Sequence, residues 1–107
     1  MKISWLRFAS ENLETIYQTL EGLNARAAAE LYNDILDEVE KLSVFPEMAS
    51  VESLLEKEPE KFRSLVVRRR YKIIYFIEAE TIIIVAVWDC HQDPETLAKK
   101  IARRGKE

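Results

Sequence analysis

Cysteine and histidine are all but missing from this chain: Cys90 and His91 stand side by side, one of each. A single cysteine excludes an internal disulfide, and together the two residues fall short of the four ligands of a structural zinc site. No metal and no cofactor are therefore expected, and redox chemistry is not indicated. Glycine and proline are scarce too, at two and three residues, and no Gly/Ser-rich or Pro-rich stretch interrupts the sequence as a flexible linker would. There is no internal repeat. With 107 residues, 48 % of them hydrophobic, the chain reads as one domain, 1–107, around one modest core. Long apolar runs are absent as well. The longest, residues 81–88, is far below the roughly 20 residues of a membrane span, and the first residues lack the apolar stretch of a signal peptide. The expectation is a cytoplasmic protein that does not touch the membrane.

What the chain does have is an uneven charge. Residues 1–60 carry 5 Lys/Arg against 13 Asp/Glu, a balance of −8, whereas residues 61–107 carry 11 against 6, a balance of +5. The two halves are thus suited to different surroundings. The segment "VVRRRYKIIYFI", residues 66–77, places Arg68, Arg69 and Arg70 directly beside large apolar side chains.

The hydrophobic period changes along the chain. Residues 2–6 alternate, with Ile3 and Trp5 on one face, and predict a first strand. Ser10 is placed to cap a helix with Glu11 and Glu14 in its first turn, and Leu13, Ile16, Tyr17 and Leu20 recur at helical spacing until Gly22. Asn24 is placed to cap a second helix with the stripe Ala28, Leu31, Ile35, Val39 and Leu42, which Pro46 stops. The short connection predicts a helical hairpin. Residues 46–61 read as a connecting segment with room for a short helical turn before Pro59. Residues 62–67, 71–77 and 81–88 then predict three consecutive antiparallel strands, parted only by "RRR" and "EAE". Asp93 followed by Pro94 predicts the start of a C-terminal helix.

This order predicts an α+β fold: a small antiparallel sheet, one N-terminal strand plus three consecutive ones, packed by an α-helical hairpin and followed by a C-terminal helix. Strict alternation in the last strand puts Ile82, Ile84, Ala86 and Trp88 on one face and Ile83, Val85 and Val87 on the other. Both sets are apolar, so the face away from the hairpin needs cover, from the C-terminal helix or from another chain. A homodimer or a hetero-oligomer with a partner protein follows as an expectation.

The succession Ile3, Trp5, Ala9, Leu13, Ile16, Tyr17, then "FRSLVV", "YKIIYFI" and "IIIVAVWDCHQDP", resembles in order and spacing the RelE/ParE-type toxins of bacterial type II toxin-antitoxin systems, also called plasmid stabilisation proteins. The resemblance covers nearly the whole chain. It implies a toxin that arrests growth and is neutralised by a cognate antitoxin wrapped around it. It implies two alternatives for the target: RelE-like proteins cleave messenger RNA in the ribosome, and ParE-like proteins poison DNA gyrase. An inactive member that serves only as antitoxin partner is a third reading.

Cleavage of RNA requires cations around the scissile phosphate and a group to move a proton. The candidates are Lys61, Arg63, Arg68, Arg70, Lys72 and His91, with Arg63, Arg70, Lys72 and His91 as the catalytic set of a RelE-like enzyme. Against that, family members commonly carry histidine where Asp89 stands here and arginine where His91 stands. A carboxylate beside a phosphate is unfavourable, so the ParE-like reading leads. As a binding surface for antitoxin or target, Arg68, Arg69, Arg70, Tyr71, Tyr75 and Trp88 are the candidates: arginine forks suit carboxylate and phosphate alike, and the aromatics suit stacking or packing. A solvated charged turn and core aromatics are the plain alternatives. Cys90 reads as a small apolar filler. Glu30, Asp34, Asp37, Glu38 and Glu40 read as a solvated acidic face, which opposes nucleic-acid binding over that half.

Overall fold

In the computed structural model, which describes residues 1–104, the Val/Ile-rich segments form the centre of a five-stranded sheet. The strands are β1 (Lys2–Trp5), β2 (Ser50–Val51), β3 (Arg63–Val67), β4 (Tyr71–Glu78) and β5 (Thr81–Asp89), in the order β1-β5-β4-β3-β2. β3, β4 and β5 form the expected antiparallel meander. Two details differ from expectation. β1 pairs with β5 in parallel, so the sheet is mixed rather than antiparallel throughout. Ser50 and Val51, inside the expected connecting segment, pair with Ser64 and Arg63 as an additional strand. The two are linked, because β2 inserts one more chain reversal before β3, and that reversal turns β5 parallel to β1.

Helix α1 (Arg7–Glu21) begins before the expected cap at Ser10, and its N-cap Leu6 has no side-chain capping bond. Instead the Leu6 N–H donates to the Ile84 carbonyl at 2.9 Å, so the sheet fixes where the helix starts. Helix α2 (Ala25–Leu42) begins as expected, with the Ala27 N–H donating to the Asn24 side chain at 3.0 Å. Its stripe of Ala28, Leu31, Ile35, Val39 and Leu42 is buried throughout. Most of that stripe packs with Ala9 and Leu13 of α1 onto Tyr71, Ile73, Tyr75, Ile82, Ile84 and Val87 of the sheet.

A β-bulge decides what lies on the other face. Ile74 pairs with Ala86 but Tyr75 pairs with Ile84, which leaves Val85 as an extra residue in β5. Beyond the bulge the alternation is inverted: Val87 joins Ile82 and Ile84 under the hairpin, whereas Val85, Ala86 and Trp88 face away from it. Strict alternation had placed Trp88 with Ile82 and Ile84. The second face is closed within the chain by Leu97 and Ile101 of α3 (Pro94–Arg104), by Leu55 of a 3-10 turn (Ser53–Leu55) and by Phe62. The C-terminal helix therefore supplies the cover that the doubled apolar pattern demands. It starts as expected, the Asp93 carboxylate accepting from the Glu95 N–H at 3.1 Å and the Thr96 hydroxyl at 2.9 Å. Among the described residues, no helix is long and apolar enough to cross a membrane.

Candidate functional site

Arg68, Arg69 and Arg70 occupy the β3–β4 turn, as their sequence position suggested. Arg68 and Arg69 have φ of 54° and 57°, the left-handed region that tight hairpin turns require and that non-glycine residues occupy at a cost. The bent backbone sends the three side chains in different directions. Arg68 reaches α2, where its Nε donates to the Asp34 carboxylate at 2.8 Å. Arg70 turns to β5, its Nη2 donating to Asp89 at 3.0 Å while the guanidinium lies 5.4 Å over the Tyr71 ring. Arg69 has no ion pair among the described residues and is exposed. Burial pushes the Asp89 carboxyl up, but bonds from Arg70 and the His91 N–H outweigh it and hold the group below the usual carboxylate range. The carboxylate that stands at this position is thus the counter-ion of Arg70.

The remaining candidates are held apart. Arg63 donates to the carbonyls of Ala49 at 2.7 Å and Glu47 at 3.3 Å, fastening the loop after α2. It pairs across the sheet with Tyr75, on the hairpin face. Lys72 pairs with Trp88, on the α3 face. Directly opposed residues share a face, so Arg63 and Lys72 lie on opposite sides of the sheet. Lys72 is committed as well: its Nζ donates to Glu52 at 2.6 Å, and Glu52 is only 4 % exposed. Burial raises the Glu52 carboxyl, and the bonds from Lys72, the Leu54 N–H and Ser64 more than offset it, leaving it ionised. His91 is 72 % exposed, its Nδ1 lying 3.7 Å from Asp89. Lys61 is exposed at the approach to β3.

The aromatic candidates divide in the same way. Tyr71 and Tyr75 are buried under the hairpin, and the Tyr75 hydroxyl donates to the Pro46 carbonyl at 2.7 Å; burial is the main reason its phenol is pushed up. Trp88 is buried on the opposite face with the Lys100 ammonium 5.5 Å over its ring. The bulge at Val85 is the physical reason these rings do not meet. Cys90 is exposed, and desolvation, its largest influence, raises its thiol above the ordinary value. That is the reverse of an activated thiolate. Among the described residues, no group of three or more His, Cys, Asp or Glu side chains could hold a metal ion.

Two residues that sequence reasoning passed over organise this region. Glu52, in the connecting segment, anchors Lys72. Asp34, read as part of a solvated acidic face, anchors Arg68. Neither spacing betrays the pairing, because the partners lie 20 and 34 residues apart.

Comparison with known proteins agrees with this architecture. The sequence matches the family described as ParE toxin of type II toxin-antitoxin system, parDE, over residues 3–94. No curated protein matches it. Among solved structures, a chain of the chromosomal ParDE TA system from P. aeruginosa has a similar fold, with a TM-score of 0.69 and 24 % identity over 83 % of this chain and 95 % of that one. The family match runs from Ile3 in β1 to the first residue of α3 and so includes the helical hairpin and all of the sheet but Lys2: the chain belongs to the ParE toxin family of type II toxin-antitoxin systems.

Proposed function

We propose that this chain is the toxin of such a pair, that it arrests growth by binding DNA gyrase rather than by cleaving RNA, and that a cognate antitoxin holds it silent in a hetero-oligomer. The observation that carries the choice between binding and cleavage is the separation of Arg63 and Lys72 onto opposite faces of the sheet, each already engaged. Attack by a 2′-hydroxyl needs cations that converge on one phosphate, with a proton-transfer group beside them. Here Arg70 is neutralised by Asp89, and His91 stands at the surface near that same carboxylate. Gyrase as the target follows from the family alone. Arg69, with the outer edges of Arg68 and Arg70, is the cationic surface that antitoxin or target carboxylates would engage.

The test is metabolic labelling in bacteria just after this chain is induced alone. Thymidine incorporation is expected to fall first, with amino-acid incorporation intact, and the purified chain is expected to inhibit supercoiling by gyrase. An early fall in translation would instead support the RelE-like ribosome-dependent endoribonuclease and send mutagenesis to Arg63, Lys72 and His91. Unchanged growth and labelling would support an inactive member that acts only as an antitoxin partner.

A further inference from the structure

The solvent side of the helical hairpin carries a cleft that helical spacing builds. Glu14 and Tyr17 lie three residues apart on α1, and Ala29, Tyr32 and Asn33 share one face of α2. These five residues line a space of about 350 Å3 between the two helices. The two rings stand nearly at right angles, their centroids 5.6 Å apart and their planes inclined at 75°. Ala29 is exposed and ends at a methyl group, so the space beside the rings stays open.

The cleft has negative charge and no cation. Glu14 lines it, and the Gln18 amide donates to its Oε1 at 2.9 Å, which leaves the other oxygen available. No ion pair among the described residues reaches Glu14. Arg26 of α2 is turned to Glu30 at 3.2 Å and does not line the cleft. Glu21, one turn beyond Tyr17, is the main reason the Tyr17 phenol is pushed up, by hydrogen bonding and by charge, and the charge of Glu14 adds to it. A tyrosine ring in such a field attracts a cation through its own quadrupole and through the carboxylates beside it. Packing of the hairpin accounts for Tyr32, which lies against the larger core. It does not account for an open cleft with an uncompensated carboxylate.

These groups suit a guanidinium better than other ions. A guanidinium is flat and weakly hydrated, so it can lie on a ring face while its N–H groups donate to the available Glu14 oxygen and to the side-chain carbonyl of Asn33. An ammonium is compact and more strongly hydrated, and an anion would meet Glu14. We propose that the cleft between Tyr17 and Tyr32 binds a guanidinium cation, as arginine carries it, with Glu14 as counter-ion and a tyrosine ring as the stacking face. Free arginine and an arginine side chain of a protein share this chemistry. The site is independent of which growth target the toxin has.

The test titrates the full, isotope-labelled chain with N-acetylarginine amide and follows the backbone amides by NMR. Shift changes are expected to centre on residues 14–17 and 29–33, and binding is expected to weaken with salt. N-acetylcitrulline amide, similar in shape but uncharged, is expected to bind at least about tenfold less tightly. Glu14→Gln and Ala29→Leu change exposed helical positions, so the rest of the spectrum is expected to stay that of the folded chain. Each is expected to weaken binding about fivefold or more, the first by removing the counter-ion and the second by filling the cleft. Tighter binding of the capped compound than of free arginine assigns the site to a protein side chain, and equal or reversed affinity assigns it to the free amino acid. Equal binding of the citrulline compound, indifference to either variant, shift changes centred elsewhere, or none at all overturns the proposal.

Discussion

Lys72 shows how much one side chain depends on a partner remote in sequence. Its ammonium is the charged donor for Glu52, a carboxylate 4 % exposed, so removing it strands a buried charge. Lys72→Met is expected to lower the free energy of unfolding by about 2–4 kcal/mol, and Glu52→Gln/Lys72→Met by less, because the second change removes the orphaned charge. Urea titrations of the two single variants and the double variant measure the coupling; equal losses in Lys72→Met and the double variant would refute it. The same carboxylate contributes, with Asp89, to the loss of stability in acid. Glu52 and Asp89 are both held below their ordinary values in the fold, so the unfolded chain binds more protons than the native one at acid pH. Their contribution is fully present above the unfolded values, about 4, and is lost as pH falls through the lower folded values. Thermal melts from pH 6 downward should show that fall, and the Glu52→Gln/Lys72→Met variant should show a shallower one. Lys72 was legible as a basic strand residue; its role was not, since nothing local marks Glu52 as its partner.

At the scale of elements, the hairpin turns carry avoidable strain. Ala79 and Glu80 form the loop between the paired Glu78 and Thr81 with φ of 48° and 64°, values that asparagine and glycine tolerate best. Ala79→Asn/Glu80→Gly is expected to stabilise the chain by about 1 kcal/mol. In a domain of this size that raises Tm by about 4–8 °C, which calorimetry resolves; an unchanged or lower Tm would mean the present turn is not strained. The other end of the sheet uses a side chain in place of a strand. β1 stops short of the end of β5, and the Val87 N–H donates to Asn12 of α1 at 3.0 Å. The helices and the three long strands were legible because period is a local property. β2, two residues long, and the bulge at Val85, where every neighbour is apolar, carry no such signature.

Across the whole molecule, the sheet separates two apolar layers. The larger lies under α1 and α2, and the smaller gathers Ile74, Val85, Ala86 and Trp88 under α3 with Leu97 and Ile101. Ile101 is fully buried, yet α3 is the last described element and is joined to β5 only through a short turn. Ile101→Asp should release it: a buried unpaired carboxylate costs several kcal/mol. A rise in binding of an apolar-surface dye with the sheet's amide protection retained is the expected result; loss of protection throughout would mean α3 and the sheet unfold as one unit. The layers also separate charge. The acidic faces of α1 and α2 lie on one side of the sheet and Lys99, Lys100 and Arg103 of α3 on the other, although Arg68 beside α2 and Glu52 on the α3 side cross that division.

By itself the sequence determined the α+β class, the helical hairpin, the meander and the C-terminal helix, because apolar period, caps and turn residues act within a few positions of one another. The resemblance of its strand segments to RelE/ParE toxins was also legible there. Only the tertiary structure decided the parallel pairing of β1, the face on which Trp88 lies and the counter-ions of Arg68 and Arg70. Those depend on one inserted reversal, one extra residue in β5 and contacts between residues far apart in the chain, and such relations exist only once the sheet has formed. The same holds for the Arg68–Asp34 pair, whose two residues come from the β3–β4 turn and from α2 and meet only through packing.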